Sequence, residues 1–325
     1  MKKIINRSLL ICFIIFTTSC SRSDNSDDIE YKQEMREFVI DISQYARSIQ
    51  NNFIVIPQNG IELVTENGDE AGEPSQEYLS AIDGNGQEDL FFGYDNDDEP
   101  TPTESTQYLR SFLDISKSNG NTILVTNYCS TPANMDDSYS QNNDAGYISF
   151  AADQRELNNI PTYPVTIYNS NSNDILVLSD VNNFLYLINP ENYTSKTNFI
   201  DAVTATNYDL LIMDIFFHDG TEFTQSDIEQ LRSKDNGGNR LLICYMSIGE
   251  AEDYRYYWQS TWNTNPPDWL DEENPDWEGN YKVKYWDSKW QAIIFGNDNS
   301  YLKKIVDAGF DGVYLDIIDA FEYFE

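Results

Sequence analysis

Apolar residues along this chain gather into short runs separated by longer amphipathic stretches. Eight runs stand out, at 53–57, 82–92 in a looser form, 122–128, 147–151, 184–188, 210–216, 241–247 and 313–317. Several are continuous rather than alternating, the pattern of strands buried on both faces. Helical periodicity fills many of the gaps. Residues 31–49 place Met35, Phe38, Val39, Ile42, Tyr45, Ala46 and Ile49 on one stripe, and residues 104–118 do the same with Tyr108, Leu109, Phe112, Leu113 and Ile115. Thr224, with Asp227 three residues on, predicts a capped helix through Leu231, and Gly309 ends another over 301–308. Eight strands with intervening helices predict an α/β fold closed as a (β/α)8 barrel. The alternative is a doubly wound open sheet, but no Gly-rich phosphate loop follows any strand. Two stretches break the rhythm: 153–179 is polar and Asn-rich, whereas 260–286 carries Trp262, Trp269, Trp277 and Trp286 among three prolines. The second is too aromatic for a floppy linker and reads as a long loop folded over one barrel face, or partly as core for that loop.

The N-terminus has a different pattern. Lys2, Lys3 and Arg7 precede an apolar stretch over 9–16, then small residues, then Cys20. Basic, apolar, small is the order of an export signal, and the apolar part is far short of the roughly 20 residues that span a bilayer. The cysteine after the small residues predicts a bacterial lipoprotein signal over 1–20, lipidated at Cys20, although Thr17 stands where a leucine is usual. An ordinary secretory signal with Cys20 incidental is the other reading. Residues 21–29 form a polar tether, and 30–325 is the folded domain. The expected location is the cell envelope, with the protein held to the outer membrane by lipid alone and facing the periplasm or the outside.

Composition narrows the ligand. With 20 Lys and Arg against 55 Asp and Glu, the formal net charge is −35. Such a charge repels nucleic acid and anionic lipid and suits a neutral or cationic partner, although solubility alone explains much of it. His218 is the single histidine, so a histidine triad or zinc cluster is nearly excluded, and no metal or cofactor is expected. Cys129 and Cys244 are either buried thiols or one disulfide. Aromatic residues make up 14 % of the chain, a high share for one this polar. They supply buried area and also good platforms for sugar rings.

In such a barrel the reacting groups sit at the C-terminal ends of strands. Those ends carry Gln58, Glu88, Asp214, Glu250, Asp253 and Arg255, then Asp316 and Asp319. Carboxylates in a polar, aromatic cleft point to acid/base work on a glycosidic bond, with one carboxyl protonated and the other ionised. Nearby like charges separate the two pKa values. An acidic protein also has acidic loops for no catalytic reason, so composition leaves this point open.

Three stretches are more specific: YMSIGEAEDYR over 245–255, GFDGVYLDIIDAFEY over 309–323 and IPQNG over 56–60. They resemble the endo-α-1,4-polygalactosaminidase-like glycoside hydrolases, (β/α)-barrel (TIM-barrel) proteins once linked by name to cysteinyl-tRNA synthetase. The likeness covers about residues 30 to 325. Its order departs from the family, in which the segment around Phe184 comes first and the helix leading to Pro57 comes last. The resemblance therefore implies a circular permutation, the strands running fifth to eighth and then first to fourth. A truncated tandem gene is the alternative. By resemblance, Asp316 matches the family aspartate ending the fourth barrel strand and Glu88 an acidic position ending the sixth, which makes them the expected catalytic pair. Asp214, Glu250, Asp253, Arg255, Asp319 and Gln58 form the expected shell, with Arg255 paired to Glu250 or Asp253. Tyr128, Tyr245, Trp286 and Tyr314 are candidates for stacking on sugars or for packing. The implied substrate is a polysaccharide, a cationic amino-sugar polymer or a neutral α-linked one. Retention or inversion stays open, and a non-catalytic surface glycan-binding lipoprotein is the rival function.

Overall fold

Buried apolar stripes and continuous apolar strands leave the chain one economical arrangement, helices packed outside parallel strands. The structure, a computed structural model, describes residues 30–325; the expected signal, Cys20 and the polar tether lie outside the described residues. In chain order the elements begin with α1 (Tyr31–Ile49), β1 (Ile54–Pro57), α2 (Gln76–Ala81), β2 (Gly84–Glu88), α3 (Thr103–Ser118) and β3 (Thr122–Tyr128). Next come α4 (Pro132–Ala145), β4 (Ile148–Ala152), β5 (Phe184–Tyr186), α5 (Lys196–Thr204), β6 (Leu210–Met213), α6 (Gln225–Leu231) and β7 (Leu241–Ser247). The last are β8 (Glu250–Glu252), β9 (Leu270–Glu273), β10 (Asn280–Val283), α7 (Ser288–Ile294), α8 (Tyr301–Ala308) and β11 (Gly312–Asp316). Among the described residues, no helix is long and apolar enough to cross a membrane.

Eight of these strands pair in parallel, but their hydrogen bonds do not close a cylinder. They form a five-stranded sheet, β1-β11-β7-β6-β5, and a three-stranded sheet, β2-β3-β4. One seam, between β1 and β2, is crossed by a single parallel bridge at Gln58 and Gly86. At the other seam Phe150 of β4 faces Phe184 of β5, ring centroids 5.7 Å apart. There the amides of Ile188 and Asn189 donate to the Leu157 carbonyl at 3.1 and 3.2 Å. The reason for the open ladder is local. The β5 strand has only three residues, and the segment following β4 takes up the amides just beyond it.

The loose apolar signature of β2 also has a steric cause. A Cβ on Gly86 would lie 1.9 Å from the Tyr314 hydroxyl, so the tyrosine of β11 fills the interior that a β2 side chain would otherwise occupy. Outside the strands, Thr224 and Asp227 form a capping box on α6, and Gly309 ends α8 at φ 91°. The α1 helix lies beside α2 and α8. At its first turn Lys32 meets Glu325 at 2.6 Å and Tyr31 packs on Phe324.

The tryptophan-rich stretch is not a long loop but contributes to a third sheet, the antiparallel β8-β10-β9. Behind it Trp258, Trp262, Trp269 and Trp290 interlock with successive ring centroids 5.1 Å apart. The Asn-rich stretch is pinned at its far end by a fully buried Lys234–Asp209 ion pair, to which Asn171 also donates. No gain in net stability need be assigned to such a pair, because desolvation offsets its attraction.

Candidate active site

The C-terminal ends of β1, β2, β3, β5, β7 and β11 bring polar side chains to one mouth. Gln58 sits at the centre. Its Oε1 accepts from the Tyr186 hydroxyl at 2.9 Å, which fixes the amide orientation and aims Nε2 at the carboxylates. That nitrogen donates to Glu88 Oε2 at 2.7 Å and to Asp316 Oδ1 at 3.0 Å. Glu88 also accepts from Asn59 Nδ2 at 3.0 Å and from the Tyr128 hydroxyl. Asp316 accepts from the Tyr245 hydroxyl at 2.6 Å.

Each of the three central residues is followed by a residue in the left-handed region: Asn59 at φ 59°, Asp89 at φ 57° and Ile317 at φ 58°. Asn and Asp tolerate that region, whereas a β-branched residue rarely adopts it. The strain at Ile317 is therefore held by its surroundings, directly beside Asp316. The chain turns sharply there, and a Cβ on Gly249 would come within 2.2 Å of the Ile317 carbonyl oxygen.

The electrostatics are uneven across the mouth. Burial first, and then the Glu88 charge, raise the Asp316 pKa to about 8. Asp89 rises to about 6, chiefly through burial, against the opposing pull of Arg155. Arg155 pairs with Asp89 at 3.0 Å and lies 3.8 Å over the Tyr128 ring. Arg255 is buried between Asp214 at 2.6 Å and Glu252 at 2.5 Å. This differs from the expected pairing with Glu250 or Asp253. Asp253 is exposed and turned to the Gly279 backbone, while Glu250 is wholly buried and accepts from Asn274, Asn280 and Tyr323.

One cavity of about 390 Å³ gathers Gln58, Glu88, Tyr128, Asp214, Tyr245, Arg255 and Asp316. Asp319 lines a neighbouring cleft of about 670 Å³ that shares Asn59 and Glu88 with it; burial raises its pKa to about 7. Tyr314 lies beneath the mouth in the core, edge-on to Tyr186. Trp286 packs with Tyr31, Tyr285 and Phe324 and lines neither space. Sequence reasoning passed over Tyr186, Arg155, Glu252 and Trp277, all on the cavity wall. Tyr186 looked like an ordinary apolar strand residue, and Arg155 lay in a loop with no periodicity. Asn59 stood in the IPQNG stretch, and its side-chain oxygen accepts from the Glu88 amide at 3.1 Å. Cys129 and Cys244 are both free and buried, which removes the disulfide alternative. Among the described residues, no group of His, Cys, Asp or Glu is arranged to hold a metal.

A parallel α/β frame with two carboxyl groups close together at the C-terminal mouth of its strands is one that many carbohydrate-cleaving enzymes share with enzymes of other chemistries. Residues 184–325 match Glycoside-hydrolase family GH114, a match that spans β5 to β11 and contains Asp214, Tyr245, Arg255 and Asp316 but not Glu88. It supports a glycoside hydrolase. An uncharacterized protein of Methanocaldococcus jannaschii is 49 % identical over 127 residues, 38 % of this chain and 34 % of that protein. An uncharacterized protein of Thermotoga maritima is 42 % identical over 121 residues, 37 % of this chain and 36 % of that protein. One of Deinococcus radiodurans is 42 % identical over 123 residues, 38 % of this chain and 37 % of that protein. The chain thus spans little more than a third of the length of the curated relatives it matches.

Proposed function

We propose that this protein is a glycoside hydrolase cutting an α-linked amino-sugar polysaccharide, of the endo-α-1,4-polygalactosaminidase kind, with Asp316 and Glu88 as its paired carboxyl groups. The observation that carries this reading is a single nitrogen, Gln58 Nε2, bonded at 2.7 and 3.0 Å to one oxygen of each. Those two distances hold the bonded oxygens within about 6 Å of each other. Retaining enzymes place their carboxyl groups about 5–5.5 Å apart, and inverting ones need about 6.5–9.5 Å to admit a water. Oxygens this close suit the shorter class, and the proposal therefore takes a retaining course, in which the first product keeps its anomeric configuration.

Asp316, with its raised pKa, supplies the proton to the leaving oxygen. Glu88, held by three donors, attacks the anomeric carbon as that bond breaks. Water then releases the sugar, returning its proton to Asp316. Neither Glu88 nor Asp316 joins an ion pair among the described residues, which favours this reading over a non-catalytic glycan-binding lipoprotein with its carboxylates locked in salt bridges.

The test is turnover of partly deacetylated α-1,4-linked galactosamine polymer, followed by reducing ends. Glu88→Gln and Asp316→Asn should each lower kcat by about 10²–10⁴ with an unchanged circular dichroism spectrum. Azide should rescue Glu88→Ala but not Asp316→Ala, and NMR of the first-formed product should show retention. Wild-type turnover in either amide variant would sink the assignment.

The strand order fits a circularly permuted barrel. The family match opens at β5, and α1 occupies the place, next to α8, of the helix that would follow β11. We also propose attachment through Cys20 to the outer membrane, which labelling with a radioactive fatty acid in the wild type and in Cys20→Ala would test.

A further inference from the structure

Two features of the mouth are left unused by the chemistry above. The first is Trp277, in the turn joining β9 to β10. Its indole is 60 % exposed, yet it lines the cavity that holds Glu88 and Asp316. The neighbouring tryptophans interlock, whereas Trp277 stacks on no ring among the described residues. Tyr254, 63 % exposed, lines the same cavity and adjoins Gly279. One face of its ring is occupied by Arg255.

The second feature is Glu250, a fully buried carboxyl group that joins no ion pair among the described residues, although Lys282 lies opposite it across the sheet. Its partners are Asn274 Nδ2 at 2.8 Å, Asn280 Nδ2 at 3.2 Å and the Tyr323 hydroxyl at 2.9 Å. Asn274 and Asn280 flank the turn that carries Trp277: the Asn280 amide donates to the Trp277 carbonyl at 3.1 Å, and the Trp277 amide donates to the Asn274 carbonyl at 3.3 Å. Glu273 Oε1 accepts from the Gly279 amide at 2.8 Å, closing the turn from within. Gly279 stands at φ 87°, a backbone conformation that residues with a Cβ rarely adopt. The buried carboxyl group thus fixes a hairpin tip whose large apolar group, Trp277, lines the mouth.

We propose that Trp277 is a stacking platform for a pyranose ring of the bound polysaccharide, and that Glu250 is the positioning residue that holds it. This rests on the carbohydrate-cleaving reading above. A flat indole presented to an open polar cavity matches the C–H face of a sugar ring, while the ring's hydroxyl groups stay with water and the surrounding amides. A pre-fixed platform binds without first losing tip mobility, which is the reason to anchor it with three hydrogen bonds.

The experiment separates this proposal from the chemistry by using Glu88→Gln as the background. Oligosaccharides of partly deacetylated α-1,4-galactosamine, and in parallel of a neutral α-1,4-glucan, are titrated against tryptophan fluorescence. With at least one of them, the proposal expects quenching or a blue shift that is absent in Glu88→Gln/Trp277→Phe. In the otherwise active protein, Trp277→Ala should raise KM about tenfold with kcat within about threefold, and Trp277→Phe should recover part of the loss. Glu250→Gln should raise KM in the same sense with the proton-dependent limbs of the kcat profile unmoved, which a general loss of structure would not do. An unchanged fluorescence titration in Trp277→Phe, no spectral change with either sugar, or a Trp277→Ala defect confined to kcat would overturn the platform. If it binds sugar while Asp316→Asn still turns over at the wild-type rate, the platform stands and the catalytic pair falls.

Discussion

At the residue scale, the mouth stores an unfavourable charge. Asp316 is pushed up to about 8 because it is buried and faces Glu88. A carboxyl whose folded pKa lies above its unfolded value binds more protons when folded. Its contribution to stability is therefore greatest below the unfolded value near 4 and is lost as pH rises toward 8. Asp316→Asn removes a buried charge only where that charge exists. It should raise the melting temperature by a few degrees at pH 8 to 9 and change it little at pH 4, as differential scanning fluorimetry across pH would show. Activity that needs the Asp316 proton should fall above about pH 8. Tyr245 donates to Asp316 and so favours its charged form. Tyr245→Phe should shift the alkaline limb of the kcat profile to higher pH, opposite to the direction expected from a loosened, wetter site.

Two glycines carry constraints at the scale of elements. Gly86 in β2 leaves room for Tyr314, and Gly249 after β7 lets the chain pass the Ile317 carbonyl. Neither position can take a methyl group without moving backbone or a core ring, and such overpacking costs about 1–3 kcal/mol. Gly249→Ala should lower the urea midpoint by that order and also reduce kcat, because the displaced atom belongs to the turn that sets Asp316. Gly86→Ala should lower stability comparably, with Tyr314 and β2 displaced together. A midpoint unchanged in both would mean that these approaches are looser than the structure records.

On the scale of the whole molecule, a formal net charge of −35 surrounds the mouth, and the cleft beside Glu88 adds Glu62, Glu104 and Glu322. A cationic polymer is steered by such a field, and salt screens it over about 10 Å at 0.1 M. For the amino-sugar polymer, kcat/KM should therefore drop several-fold between 0.02 and 0.5 M salt (roughly 20 Å to 4 Å of screening by the same relation). A neutral α-glucan, if cut, should show almost no dependence. The meeting of Lys32 with Glu325 bears on the proposed circular permutation. A relinked gene that joins residue 325 to residue 31 through a short spacer and opens within 153–179 should fold with the same mouth, since neighbours in the sheets are set in space. Circular dichroism and reducing-end release would report on it.

Apolar periodicity was enough to locate the eight parallel strands and four of the helices, because burial on both faces or along one stripe leaves its mark on each element separately. It was weakest at β2, where Gly86 makes room for Tyr314. It also missed α4, whose buried side includes Ser138 and Asn142 rather than an apolar stripe. The closed cylinder expected from counting strands did not follow, because ladder closure depends on which amides meet across a seam. The grouping of Gln58, Glu88 and Asp316 joins strands distant along the chain. Their residue types could be read from the sequence, but their hydrogen bonds could not. The pairing of Arg255 with Asp214 and Glu252, and the hairpin tip held by Glu250, were likewise decided only in three dimensions. Local sequence determines what each segment buries, whereas contact between segments depends on where the packed frame puts their ends.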